Sequence, residues 1–329
     1  VIDKVYHDGI VDPPILAADL LKGRADEARG GNDVLVTIPL TKVEDREISG
    51  TKSSVKLKLR IYRPVENGIL PTVLFLHGGG FVQGSVNSYD SLTREFAQLL
   101  PAVVVSVSYR LAPESPYPAA IDDSFEALKW VKRHMRALGN DPNSLIVMGD
   151  SAGGDLAGVV ARKAANAKIP VRAQLLIYPV TDTTDRLYES ILTYGQGYFL
   201  TNTGMQSYRN FYLPNQKDWT APDAAPMNAS KSELSDVAPA YFLLAGCDPL
   251  YDEGLAYARK LHAAGIPVIV QWENGMTHGF LGSFNNPHDV ELGKEATPIY
   301  HRMISEVAAL IAGKSKTETS KRVLSNNAE

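Results

Sequence analysis

Leu145-Ile146-Val147-Met148-Gly149-Asp150-Ser151-Ala152-Gly153-Gly154-Asp155-Leu156 is the stretch from which the rest of the chain can be placed. Its four leading apolar residues suit a buried strand. They run directly into Gly149-Asp150-Ser151-Ala152-Gly153, and helix-compatible residues continue to about Asn166. Strand, sharp turn and helix in that order form the setting of a nucleophile elbow, which holds a serine hydroxyl above the end of a sheet. A turn that tight brings backbone into space a Cβ would fill, and glycine tolerates it without strain. Gly-x-Ser-x-Gly also arises by chance in long chains, so its meaning rests on what neighbouring strands bring to the same edge.

Upstream, Val55, Leu57, Leu59 and Ile61 alternate with polar residues within the strand-like stretch Val43 to Pro64, as in a sheet strand with one wet face. Thr72 to Leu76 is apolar on both sides, as in a strand with both faces covered, and ends at His77-Gly78-Gly79-Gly80. A helix near Leu92 to Leu100, a strand at Val103 to Val107 and a helix from Ala119 to about Leu138 lead to the quoted stretch. Downstream, Arg172 to Pro179 reads as a strand, Ala240 to Gly246 as a strand delivering Cys247 and Asp248, Glu253 to Ala264 as a helix, and Ile266 to Trp272 as a strand. His278 follows in a glycine-flanked loop, and a last helix runs from about Gly293 to Ala312. Strand and helix units in alternation predict an α/β fold whose mostly parallel central sheet is covered by helices on both faces. The expected division is an N-terminal cap segment at 1–45, a core at 46–180 and 237–313, a cap insertion at 181–236, and a polar tail at 314–329. The insertion lacks strand alternation and is rich in aromatics. It reads as a lid over a pocket, as rings that fasten it down, or as both. Phe81, Tyr198, Phe199, Tyr208 and Phe211 are the pocket candidates.

Ser151, Asp248 and His278 sit where strands stop and loops begin, and in an open parallel sheet those loops share one edge. A neutral serine hydroxyl is a poor nucleophile. His278 is placed to take its proton and return it to a departing oxygen, while Asp248 would hold the imidazole in the required tautomer. The chain order Ser, Asp, His is that of an α/β-hydrolase arrangement. Asp252 is the rival acid, and Asp248 has a rival role as a helix cap. The expected oxyanion donors are the backbone N–H groups of Gly78, Gly79 and Ala152, with His77 and Gly80 supporting the loop. The glycine run does not complete a phosphate-binding pattern, so nucleotide binding is not expected.

Of 329 residues, 44% are hydrophobic and 21% charged, with a formal net charge of -4. That balance supplies no global field for nucleic acid or anionic membrane. Cys247 is the only cysteine, which rules out an intrachain disulfide and a multi-cysteine metal site. No apolar run reaches the length of about 18 residues that a membrane span needs. The start, Val1-Ile2-Asp3-Lys4, shows no apolar core followed by a cleavage signal. The chain is expected to be soluble, in the cytoplasm or elsewhere, as a monomer or homodimer.

With these motifs in hand, the sequence closely resembles the hormone-sensitive-lipase-like carboxylesterases of the α/β-hydrolase superfamily. The matching segments are His77-Gly78-Gly79-Gly80-Phe81, Ser108-Tyr109-Arg110-Leu111-Ala112-Pro113-Glu114, Gly149 to Gly154, Tyr178-Pro179, Asp248-Pro249-Leu250-Tyr251-Asp252-Glu253-Gly254 and His278-Gly279-Phe280. The resemblance implies a nucleophile at Ser151, an acid at Asp248, a base at His278, and oxyanion donors at Gly78, Gly79 and Ala152. It further implies cleavage of short or medium acyl esters without a cofactor; the aromatic insertion implies an apolar acyl or alcohol group, and no metal is expected. A deacetylase, lactonase or amidase would use the same triad. Hormone receptors related to this family lack the catalytic histidine, so His278 argues against a non-catalytic sensor.

Overall fold

The computed structural model describes residues 14–28, 38–50, 54–283 and 290–311. In chain order its strands are β1 Lys42–Ser49, β2 Lys56–Arg63, β3 Leu70–Leu76, β4 Val103–Ser108, β5 Asn140–Asp150, β6 Ala173–Ile177, β7 Ala240–Cys247 and β8 Val268–Thr277. The helices are α1 Ala17–Ala28, α2 Asp90–Leu99, α3 Ala119–His134, α4 Ala152–Asn166, α5 Glu189–Tyr194, α6 Asn202–Tyr212, α7 Lys231–Leu234, α8 Tyr251–Ala263 and α9 Val290–Ile311. The strands form one sheet of eight in the order β1-β2-β4-β3-β5-β6-β7-β8. Pairings are antiparallel at β1/β2 and β2/β4 and parallel from there to β8.

Alternation along each strand sorts its residues between two cores. Leu74 and Leu76 of β3, Val103, Val105 and Val107 of β4, and Leu145 and Val147 of β5 join one apolar cluster. Val73 and Phe75, Val104, and Ile146 and Met148 of the same strands join the other. Helices cover both faces, and this is why the central strands read as continuous apolar runs.

The stretch from Val43 to Pro64, read as one strand, is two. β1 lies antiparallel to β2 with Val43 opposite Tyr62 and Ile48 opposite Leu57. Its sequence is mostly charged, and cross-strand pairs hold it: Asp45 meets Arg60 at 2.6 Å and Lys58 at 2.8 Å. A charged edge strand discourages pairing with another chain. β5 and β8 also run longer than their apolar runs indicate. Between Ala245↔Glu273 and Cys247↔Thr277, two steps along β7 match four along β8. That bulge brings the C-terminal ends of both strands level, so that Asp248 and His278 emerge side by side.

The segment between β6 and β7 is an inserted helical cap region carrying α5, α6 and α7. Thr201 caps α6 by accepting from Gly204 N–H at 3.1 Å. Tyr212 at its far end stacks on Phe81 with ring centroids 3.9 Å apart, and the Arg209 guanidinium lies over the Trp219 ring at 3.8 Å. No described helix is long and apolar enough to cross a membrane. The expected tail at 314–329 and the first part of the N-terminal segment lie outside the described residues.

Candidate active site

Ser151 stands where β5 turns into α4. Its backbone is held at φ 54° and ψ -121°, a conformation that costs a non-glycine residue on the order of 1–3 kcal/mol. Surrounding bonds enforce it. Ser151 N–H donates to the Ile177 carbonyl at 2.8 Å, and the Ser151 carbonyl accepts from Gly154, Asp155 and Val180 N–H. Gly153 permits the turn, because a Cβ there would lie 2.7 Å from the His77 carbonyl carbon.

Ser151 Oγ lies 2.9 Å from His278 Nε2, and His278 Nδ1 lies 2.8 Å from Asp248 Oδ2. The Asp248 carboxylate is buried, and its other oxygen accepts from Leu250 N–H at 2.9 Å, which fixes its plane. With Nδ1–H donating to that carboxylate, Nε2 is left to accept the serine proton. The rival acid, Asp252, instead accepts from Ser190 N–H at 2.8 Å and so holds the start of α5. The Tyr178 ring packs 4.9 Å from the His278 ring.

The glycine loop departs from expectation at one position. Gly78 N–H donates to Asp150 Oδ1 at 2.9 Å, so that amide is already committed and cannot also serve an oxyanion. Gly79 and Gly80, not Gly78, line the cavity together with Ser151. Ala152 is the first residue of α4, where helix N–H groups precede the helix's own ladder. His77 braces the loop as expected. Its Nδ1–H donates to the Gly78 carbonyl at 2.8 Å, and the Tyr109 hydroxyl donates to the His77 carbonyl at 2.6 Å. Burial holds the His77 imidazole down to about 4, which keeps it neutral at working pH. Burial likewise pushes the Asp150 carboxyl up to about 6, although the Tyr89 hydroxyl and Gly78 N–H both favour its ionised form.

A cavity of about 1020 Å³ opens over Ser151 and His278. Of the aromatic candidates, Phe81, Phe199 and Tyr208 line it. Tyr198 and Phe211 lie outside that lining: Tyr198 packs edge-on against Tyr194, and Phe211 packs partly buried on the core. The aromatic insertion therefore both fastens itself, through Tyr212 and Trp219, and faces the cavity. Composition did not point to the polar part of the lining, which includes Asp182, Thr184, Arg186 and Arg209. Gly23 of α1 also lines the cavity. Among the described residues, no three His, Cys, Asp or Glu side chains gather as a metal site.

A family profile described as alpha/beta hydrolase fold matches residues 73–282. An ethyl acetate hydrolase from Pseudomonas putida is 38% identical over 267 residues, covering 80% of this chain and 79% of that protein. The chain belongs to the α/β-hydrolase-fold carboxylesterases. The enzyme is also 39% identical over 249 residues to the esterase LipI of Mycobacterium tuberculosis, covering 74% of this chain and 76% of that one. An esterase structure from Pyrobaculum calidifontis superposes on it with a TM-score of 0.81 at 35% identity, covering 91% of this chain and 96% of that one. The enzyme is thus an esterase acting on carboxylic esters, related to bacterial and archaeal esterases of the hormone-sensitive-lipase-like type.

Proposed function

We propose that the enzyme cleaves short to medium acyl esters through an acyl intermediate on Ser151, with His278 as base and acid and Asp248 as its buried partner. The observation that carries this reading is the unbroken hydrogen-bonded line from Ser151 Oγ through the imidazole to Asp248. Ser151 Oγ attacks the ester carbonyl carbon as His278 Nε2 takes its proton. The carbonyl π electrons move to oxygen, where the Gly79, Gly80 and Ala152 N–H groups meet the developing charge. When the intermediate collapses, the alcohol leaves with the proton from His278. Water then gives a proton to His278, attacks the acyl carbon and releases the acid, and the proton returns to Ser151 Oγ.

The substrate is a small ester with an apolar group, seated against Phe81, Phe199 and Tyr208. The Pseudomonas relative, an ethyl acetate hydrolase, favours modest chains. Initial rates on acetyl, butyryl, octanoyl and palmitoyl nitrophenyl esters test this. The highest rate is expected between acetyl and octanoyl, and fastest turnover of emulsified palmitoyl ester would overturn the chain-length assignment. Ser151→Ala is expected to abolish fluorophosphonate labelling while leaving the circular dichroism spectrum unchanged. Labelling that persists in that variant would move the nucleophile elsewhere.

A further inference from the structure

Between the elbow and the glycine loop stands a carboxylate that the proposed relay does not use. Asp150 is 5% exposed. Its Oδ1 accepts from Gly78 N–H and its Oδ2 from the Tyr89 hydroxyl, each at 2.9 Å. The fit leaves no slack, since a Cβ on Gly78 would lie 2.6 Å from Oδ2 and 2.9 Å from the Tyr89 oxygen. Tyr89 directly precedes α2, so the carboxylate joins the elbow, the loop and that helix. The opposite side of Gly78 is also held, because its carbonyl accepts from His77 Nδ1–H at 2.8 Å. The His77 ring is in turn stacked on Tyr109 at 4.3 Å. Both polar groups of Gly78 are therefore pinned. Fixing its carbonyl fixes the Gly78–Gly79 peptide plane, and in a trans peptide the Gly79 N–H points opposite that carbonyl.

We infer that Asp150 and Tyr89 are positioning residues that lock the glycine loop onto the nucleophile elbow, so that the Gly79 and Gly80 amides keep a fixed distance from Ser151 throughout the reaction. The inference rests on the acyl-enzyme reading proposed above. Oxyanion donors act because they are already in place when charge develops. A displacement of about 1 Å costs on the order of 100-fold in rate. Asp150 itself touches no reacting atom in this scheme.

Three variants of the full chain test the lock. Asp150→Ala removes both acceptors, Asp150→Asn keeps one for Gly78 N–H, and Tyr89→Phe removes the second leg while keeping the ring. On a butyryl ester, kcat is expected to fall about 100-fold in Asp150→Ala and about 10-fold in the other two, with KM changed by about twofold or less. Affinity for a butylboronic acid, whose tetrahedral adduct on Ser151 needs the same donors, is expected to fall in parallel with kcat. Hydrogen–deuterium exchange of the amides at 79–84 is expected to rise in all three variants, with β3 and β5 unchanged. Exchange needs no turnover. It judges the lock even where the wild type proves inactive on every ester, an outcome that sinks the acyl-enzyme reading by itself. Wild-type kcat, boronate affinity and loop exchange in Asp150→Ala overturn the lock; Tyr89→Phe decides by the same measures where the alanine variant does not fold.

Discussion

Asp150 is held where its charge is least welcome. Burial raises its carboxyl from 3.8 to about 6, so between those values only the folded chain carries the proton. Stability from the neutral acid is complete below 3.8 and is lost as pH rises through about 6. The difference is on the order of 3 kcal/mol. Asp150→Asn, which imitates the neutral acid, is therefore expected to melt above the wild type at pH 8 and to lose that advantage by pH 5; calorimetry at the two values checks it. The same substitution that weakens the loop lock thus raises stability. Asp248→Asn acts through a different atom. An amide donating to His278 Nδ1 leaves the ring proton on Nε2, which cannot then accept from Ser151, and kcat is expected to fall on the order of 10⁴-fold with little change in fold. Ser151 and Asp248 were legible as candidates because each follows an apolar strand, and His278 because it stands in a glycine-flanked loop after the strand at Ile266 to Trp272. Gly78 was not, since a run of three glycines does not say which amide a neighbouring carboxylate will consume.

Among the elements, the central strands were readable as continuous apolar runs because both faces of the sheet are covered. β1 was not, because a charged edge strand has no apolar signature and is held by ion pairs to β2. The cap was readable as an insertion but not in its attachments, which depend on single side chains reaching distant carbonyls. α1 shows this. Its Leu20 is buried, and Arg24 donates to the Val82 and Ala112 carbonyls and meets the Glu114 carboxylate at 2.7 Å. A helix of 12 residues is marginal by itself, so these contacts keep α1 beside the cavity that Gly23 lines. Arg24→Ala is expected to hasten proteolysis within residues 14–28 and to raise KM for an octanoyl ester several-fold, with kcat changed less. Unchanged proteolysis and KM would show that α1 is held by Leu20 and its neighbours instead.

Across the whole molecule, the two apolar cores that seal the sheet leave several acids buried beside them. Asp155 is the extreme case. It is 0% exposed, and neither carboxyl oxygen has a hydrogen-bond partner among the described residues. Burial, then Glu253 and Asp223, push its carboxyl well above 3.8 against the pull of Arg162. Glu253 is raised in the same way, chiefly by burial, although it accepts from Thr181 and Asp182 N–H. For both groups the stabilising contribution is complete below the unfolded-chain value and is lost as pH climbs toward the folded one. His77 has the opposite sign: its contribution is present above 6.5 and is lost as pH falls toward about 4. Between those limits the rise in Asp150 and the fall in His77 oppose each other with similar size. The upward shifts of Asp155 and Glu253 are therefore expected to make stability decline as pH climbs from the ordinary carboxylate range toward their folded-state values. Each buried acid contributes at most about 1.4 kcal/mol per pH unit to that slope. Asp155→Asn removes one titrating proton and is expected to flatten the decline measured by urea unfolding across a pH series that rises from the ordinary carboxylate range. A slope identical to the wild type's would mean that Asp155 is already ionised in the folded chain, with Arg162 supplying enough charge to outweigh burial.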